Sequence, residues 1–230
     1  SSLYTQYKYT RGNGFIMKFG AIAKPNDMIR IGAAIHTPGW YHVNYQDEYN
    51  MLAQFGNSSD SLFTQEPVAS VFAYDITTPF KFIGSLALVF EHNFLVSADY
   101  EYVDYNSTKM RAPDYNFSQE NSNIRTICNG ASNIRVGGEY KYDLFAFRAG
   151  VAFYGSPYEK QFTDGDYNYS SMSYTAGIGI RDKSYFFDIG YAFTKNKVAY
   201  QPYTMATEAV PSVYQDINTS RIMLTFGVRF

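Results

Sequence analysis

The chain alternates. In Arg221–Phe230, Ile222, Leu224, Phe226, Val228 and Phe230 fall on one set of positions, and Arg221, Met223, Thr225, Gly227 and Arg229 on the other. A period of two is the signature of a strand whose faces meet different surroundings. The same reading holds in 144–154, where Phe145, Phe147, Val151 and Phe153 oppose Arg148, Gly150 and Ala152. It holds in 132–142, 185–194 and 13–24 as well. Ten strands are predicted, bounded by turn residues: 2–10, 13–24, 28–38, 67–90, 94–106, 132–142, 144–154, 171–181, 185–195 and 217–230. The stretch 67–90 is read as one long strand, kinked or bulged at Pro79, because proline removes only one ladder hydrogen bond and is tolerated at bulges.

The connections sort by length. Turns at Pro25-Asn26-Asp27, Glu91-His92-Asn93, Tyr142-Asp143 and Asp182-Lys183-Ser184 are short, and they alternate with long loops at 39–66, 107–131, 155–170 and 196–216. A short connection at Arg11-Gly12 is the one departure. A soluble sandwich has no reason to sort its loops this way. Outer-membrane barrels do, with short periplasmic turns and long extracellular loops. That places the C-terminus on the periplasmic side.

Composition adds two facts. The 230 residues include 23 Tyr and 19 Phe against one Trp, an aromatic excess that girdles at two membrane interfaces would explain. Mean hydropathy is only −0.29, as an alternating wall requires, and no run of about 18 apolar residues could form a membrane helix. Net charge of −2 leaves no basic field for nucleic acid. The single Cys128 excludes an internal disulfide framework. The non-apolar positions are rich in Gly, Ala and Ser, as a crowded lumen demands. The expected fold is therefore an all-β, transmembrane, antiparallel up-and-down barrel with its apolar face toward lipid.

Three groups of residues bear on function. The first is the set of inward charges. Lys18, Arg30, Lys81, Arg135 and Arg148 stand among acids such as Asp99, Glu101, Glu139 and Asp188. They either pair with one another or leave surplus arginine for an anionic headgroup. Arg135 and Arg148, on strands joined by a tight turn, are the foremost candidates. The second is the loop 39–66, whose Trp40, Tyr41, Met51, Leu52, Phe55, Leu62 and Phe63 form either a capture surface or a packed loop. The third is catalysis. Neither His36 nor His92 stands in a recognisable nucleophile–base spacing, so no enzyme is expected. Asp164-Gly165-Asp166 and Asn168 echo a calcium loop without its downstream acid, and no metal or other cofactor is expected.

Several phrases resemble the FadL/TodX family of outer-membrane transport proteins. They are Phe19-Gly-Ala-Ile-Ala-Lys-Pro25, Ile29-Arg-Ile-Gly-Ala-Ala-Ile-His-Thr-Pro38, Ser97 to Tyr105, Asn133 to Tyr140, and Arg148-Ala-Gly-Val-Ala-Phe-Tyr154. The resemblance implies a fourteen-stranded barrel with an N-terminal hatch, of which these would be the last ten strands. It implies an outer-membrane channel for passive uptake of hydrophobic molecules, of the long-chain fatty acid or aromatic hydrocarbon type. Phe226, Val228 and Phe230 would then be the barrel's assembly signal. The expected partners are outer-membrane lipid, a hydrophobic ligand, and either a companion N-terminal fragment or other outer-membrane proteins. A complete ten-stranded barrel is the other reading of the chain. A non-transporting barrel that scaffolds a surface or secretion complex is the alternative function.

Overall fold

A computed structural model describes residues 2–54, 62–91, 93–159, 169–200 and 213–228. It holds thirteen strands among the described residues. They are β1 (Ser2–Phe15), β2 (Lys18–Ala23), β3 (Ile29–His36), β4 (Trp40–Gln54), β5 (Leu62–Thr77), β6 (Lys81–Phe90), β7 (Phe94–Asp104), β8 (Lys109–Arg111), β9 (Gly130–Tyr142), β10 (Phe145–Tyr154), β11 (Ser171–Arg181), β12 (Tyr185–Tyr200) and β13 (Val213–Val228). A helix α1 (Ser118–Ile127) follows β8. All strand pairs are antiparallel.

Two sheets result. The larger runs β13-β12-β11-β10-β9-β7-β6-β3-β2, and the smaller β1-β4-β5-β8. The smaller sheet continues the larger. β1 leads into β2, β3 into β4, β5 into β6 and β7 into β8, so four strands are broken at one level and the break is a crease across the wall. The crease stays hydrogen-bonded. Thr37 N–H donates to Met17 O at 2.9 Å, Met17 N–H to Thr37 Oγ1 at 3.1 Å, Thr78 N–H to Gly39 O at 2.8 Å, and Gly39 N–H to Thr78 Oγ1 at 3.0 Å. Pro38 and Pro79 both lie in the crease, where a missing N–H costs no ladder bond. The kink expected at Pro79 is therefore present, and a second occurs at Pro38.

Three sequence expectations are corrected. Residues 2–10 and 13–24 are not two strands joined at Arg11-Gly12. They form one long strand broken at Ile16-Met17, which makes nine passes in place of ten. Gly12 and Gly14 stay in the ladder opposite Val43 and Tyr41, and a Cβ on Gly14 would fall inside the Tyr41 ring. These glycines answer a close approach, not a turn. The loop 39–66 is also largely strand, with β4 and β5 leaving only 55–61 undescribed between them. Its register slips between Tyr49 and Met51, where the β5 side carries Glu66-Pro67, so Pro67 sits at a bulge. Finally, β12 and β13 run to Tyr200 and from Val213, well into the expected loop 196–216.

Once the first connection is removed, the alternation of short and long connections has no exception. Tight turns sit at one end only. Glu91 and Asp143 supply them in the left-handed region, at φ of 44° and 51°.

The faces of the larger sheet differ. One cross-strand row reads Phe94, Tyr140, Phe147, Ile178, Ile189, Leu224. The next row, on the opposite face, reads Leu95, Glu139, Arg148, Gly177, Gly190, Met223. The apolar face is uncovered: Ile222 is 73%, Leu224 65% and Phe226 69% exposed. The buried residues of the larger sheet are few, and Glu101, Val103, Ala131, Asn133 and Ala146 all lie on the polar face. The packing is thus inverted relative to a soluble sandwich, whose apolar face would form the core.

Candidate functional site: the polar inner face

The inner face is floored by small residues, which lets charged side chains from neighbouring strands meet over the backbone. Two ion networks form there. In the first, Glu101 is 7% exposed and gathers three partners. Asn133 Nδ2 donates to it at 2.8 Å, Lys81 Nζ lies at 3.4 Å and Arg135 Nη2 at 3.5 Å. Arg135 also faces Asp99 at 3.9 Å. In the second, Arg148 bridges two acids. Its Nε donates to Glu139 Oε2 at 2.6 Å and its Nη1 to Asp188 Oδ1 at 2.6 Å. Lys141 lies 3.3 Å from Glu139, and Arg181 reaches Asp188 at 3.3 Å.

Arg135 and Arg148 are therefore not surplus charge: both are ion-paired, because β9 places Glu139 in register with Arg148 and β7 places Asp99 in register with Arg135. Saturation is incomplete, however. Arg148 Nη2 and Arg181 Nε are buried donors with no hydrogen-bond partner. A concavity of about 670 Å³ opens over this region, lined by Arg135, Glu139, Arg148, Asp188 and the glycines beside them.

The other inward bases cluster elsewhere. Lys18 stands in register with His36, and His36 with Lys81, so three bases form one row across β2, β3 and β6. Lys81 is held by Glu101, while Lys18 and Arg30 have no ion pair among the described residues. The surplus expected at Arg135 and Arg148 thus falls on Lys18 and Arg30, and on Arg221, which shares the inner face with Ala192. Sequence reasoning named the inner charges but could not pair them, since pairing depends on cross-strand register.

The expected capture surface is dispersed. Trp40 and Tyr41 are neighbours on β4 and point to opposite faces, while Met51 and Leu52 lie farther along the same strand and Leu62 and Phe63 on β5. Phe55 lies outside the described residues, as do His92, Phe230, Arg229 and the calcium-like stretch at 164–168. Phe226 and Val228 end β13 on the apolar face, in register with Phe187 and Tyr185. His36 has no hydrogen-bonded carboxylate, whereas His42, not singled out from sequence, lies 2.8 Å from Asp75.

No family model matches the chain, and no curated protein matches it in sequence. Solved structures do. A FadL homologue from Pseudomonas aeruginosa superposes with a TM-score of 0.50 at 11% identity, covering 94% of this chain and 67% of that one. The fold is that of a FadL barrel wall. The P. putida toluene transporter TodX is also similar, with a TM-score of 0.43, 10% identity, and coverage of 94% and 69%. The chain thus spans about two thirds of these two structures. At such identity the likeness concerns architecture: an all-β, antiparallel, up-and-down wall.

Proposed function

We propose that the larger sheet is the membrane wall of an outer-membrane channel that takes up hydrophobic small molecules carrying a polar or anionic end. The observation that carries this reading is the inverted sheet. Among the described residues its contiguous apolar face has no protein cover, and its opposite face holds charges over a glycine floor. A wall of that kind is stable where hydrocarbon covers the apolar side. The dimensions agree. The ten residues of β10, at about 3.4 Å each and about 40° of tilt, span about 26 Å, close to a bilayer's apolar band.

The inner face suits an amphiphile. Its small residues leave room for an alkyl or aromatic body, and the Arg148 guanidinium lines the same concavity, where it would meet a carboxylate. Long-chain fatty acids fit that description, and aromatic hydrocarbons would use the floor alone. The sheet order ends at β13 on one side and at β2 on the other, without a described partner for either edge. An unpaired edge is not tolerated in hydrocarbon. In the membrane both edges are therefore paired, either with each other or with strands of a companion segment or another protein.

The test is uptake of a fluorescent long-chain fatty acid and of labelled toluene by cells that lack their own carriers and express this protein. Both are expected to enter faster than in cells without it. Arg148→Ala is expected to slow the fatty acid by about tenfold and toluene little, the loss of one charge-assisted hydrogen bond. No uptake above background, with the protein folded in the outer membrane, would overturn transport and favour the scaffold reading.

A further inference from the structure

Above the crease, the smaller sheet carries a group of residues that transport does not use. Asn13 stands opposite His42, His42 opposite Asp75, and Asp75 opposite Arg111. Each of four neighbouring strands thus contributes one polar residue to a continuous row. The adjoining row on the same face is Phe15, Trp40, Thr77 and Lys109. At about 4.8 Å between strands, each row is about 14 Å long. Residues of both rows line a concavity of about 450 Å³.

This face is open. The opposite face of the same sheet is where Phe72 and Tyr74 stack with Tyr115 and Phe117, at centroid distances of 5.9 to 6.2 Å between the two pairs. The two-row face has no such cover among the described residues: Phe15 is 59% and Trp40 48% exposed.

The chemistry of the rows is specific. His42 Nδ1 lies 2.8 Å from Asp75 Oδ1, which fixes the ring and leaves Nε2 and the second carboxylate oxygen to face outward partners. Arg11, Lys109 and Arg111 lie on this face without an ion pair among the described residues, so the surroundings of Asp75 are net positive. Phe15 and Trp40 are cross-strand partners and both exposed, so two aromatic side chains stand beside the polar row. An aliphatic ligand would leave the polar row unsatisfied. A small inorganic anion would not use the rings. A sugar ring uses both, with its C–H face on the aromatics and its hydroxyls on planar polar side chains. An anionic substituent would meet Arg111 and Lys109.

We propose that this two-row platform binds a phosphorylated saccharide, either free or as the headgroup of a glycolipid. The assignment does not depend on transport.

Trp40 is the only tryptophan in the chain, so its emission reports on the site directly. The folded full chain in detergent is titrated with glucosamine 6-phosphate, glucosamine and inorganic phosphate. The sugar phosphate is expected to change Trp40 emission saturably, and each half alone to bind at least about tenfold more weakly. Arg111→Ala is expected to weaken the sugar phosphate by about tenfold. By calorimetry, Trp40→Ala is expected to abolish measurable binding while the strand circular dichroism stays unchanged. Bilayers that contain a phosphorylated glycolipid, set against phospholipid alone, distinguish the sources. An emission change confined to the glycolipid bilayer identifies a headgroup site, and a change with the soluble sugar phosphate alone identifies a free ligand. No saturable change with either form, phosphate binding as tightly as sugar phosphate, or full binding by folded Arg111→Ala would overturn the proposal.

Discussion

Below the crease and above it, the same strands obey different rules. The lower sheet turns its large apolar side chains outward and its charges inward, where Glu101, Arg135, Glu139, Arg148 and Asp188 are paired. The upper sheet turns Phe72 and Tyr74 toward Tyr115 and Phe117 and leaves a polar row on its open face. Four strands cross from one regime to the other, with Pro38 and Pro79 at the boundary. A strand has no single exposed face; the medium on each side decides which residues the face can carry. In the proposed membrane wall, the crease is the level at which hydrocarbon gives way to water.

The contrast can be broken first with ion pairs. Glu101→Leu strands Lys81 and leaves Arg135 only the longer contact with Asp99, and is expected to cost about 3 kcal/mol, read from urea unfolding in lipid. Asp75→Asn removes a shorter pair, the 2.8 Å contact with His42, from the open upper face and is expected to cost less than about 1 kcal/mol. Equal losses would erase the distinction. Next come introduced charges. Ile189→Arg on the outer face of β12 is expected to cost about 2–4 kcal/mol in a bilayer and far less in a detergent micelle. Val71→Arg on the open upper face is expected to stay within about 0.5 kcal/mol in both. A smaller effect lies in the segment covering the upper sheet. Tyr115 donates a 2.6 Å hydrogen bond to Glu120, and this holds the Glu120 carboxyl below its ordinary range. A depressed carboxylate lends stability above its unfolded pKa and loses it as pH falls through the folded one. Protection of the 115–127 amides, measured relative to the intrinsic exchange rate at each pH, is therefore expected to fall on acidification below the ordinary carboxylate range. Glu120→Gln should remove that dependence.

Much of the fold was legible because period two is read one residue at a time. Phe145, Phe147, Ile189 and Leu224 announced the outer face, and the short turns at Pro25-Asn26-Asp27 and Asp143 announced one end. What was not legible depended on partners. Arg11-Gly12 looks like a turn until β4 is paired beside it, with His42 O close against Gly12. The apolar residues of 40–63 look like one cluster until alternation sends Trp40 and Tyr41 to opposite sides. The inner charges were named, but register decided that Arg135 and Arg148 would be paired and Lys18 and Arg30 left over. His42 drew no notice, since its partner Asp75 lies 33 positions away on the next strand.

The most direct test places a tryptophan on each side of the crease, in a Trp40→Phe background, and quenches it with lipids brominated at mid-chain. Tryptophan at Phe187, on the outer face of β12, is expected to be strongly quenched, and tryptophan at Tyr7, on the open face of β1, hardly at all. Equal quenching at both positions, or none at Phe187, would contradict the account of a membrane wall bounded by the crease.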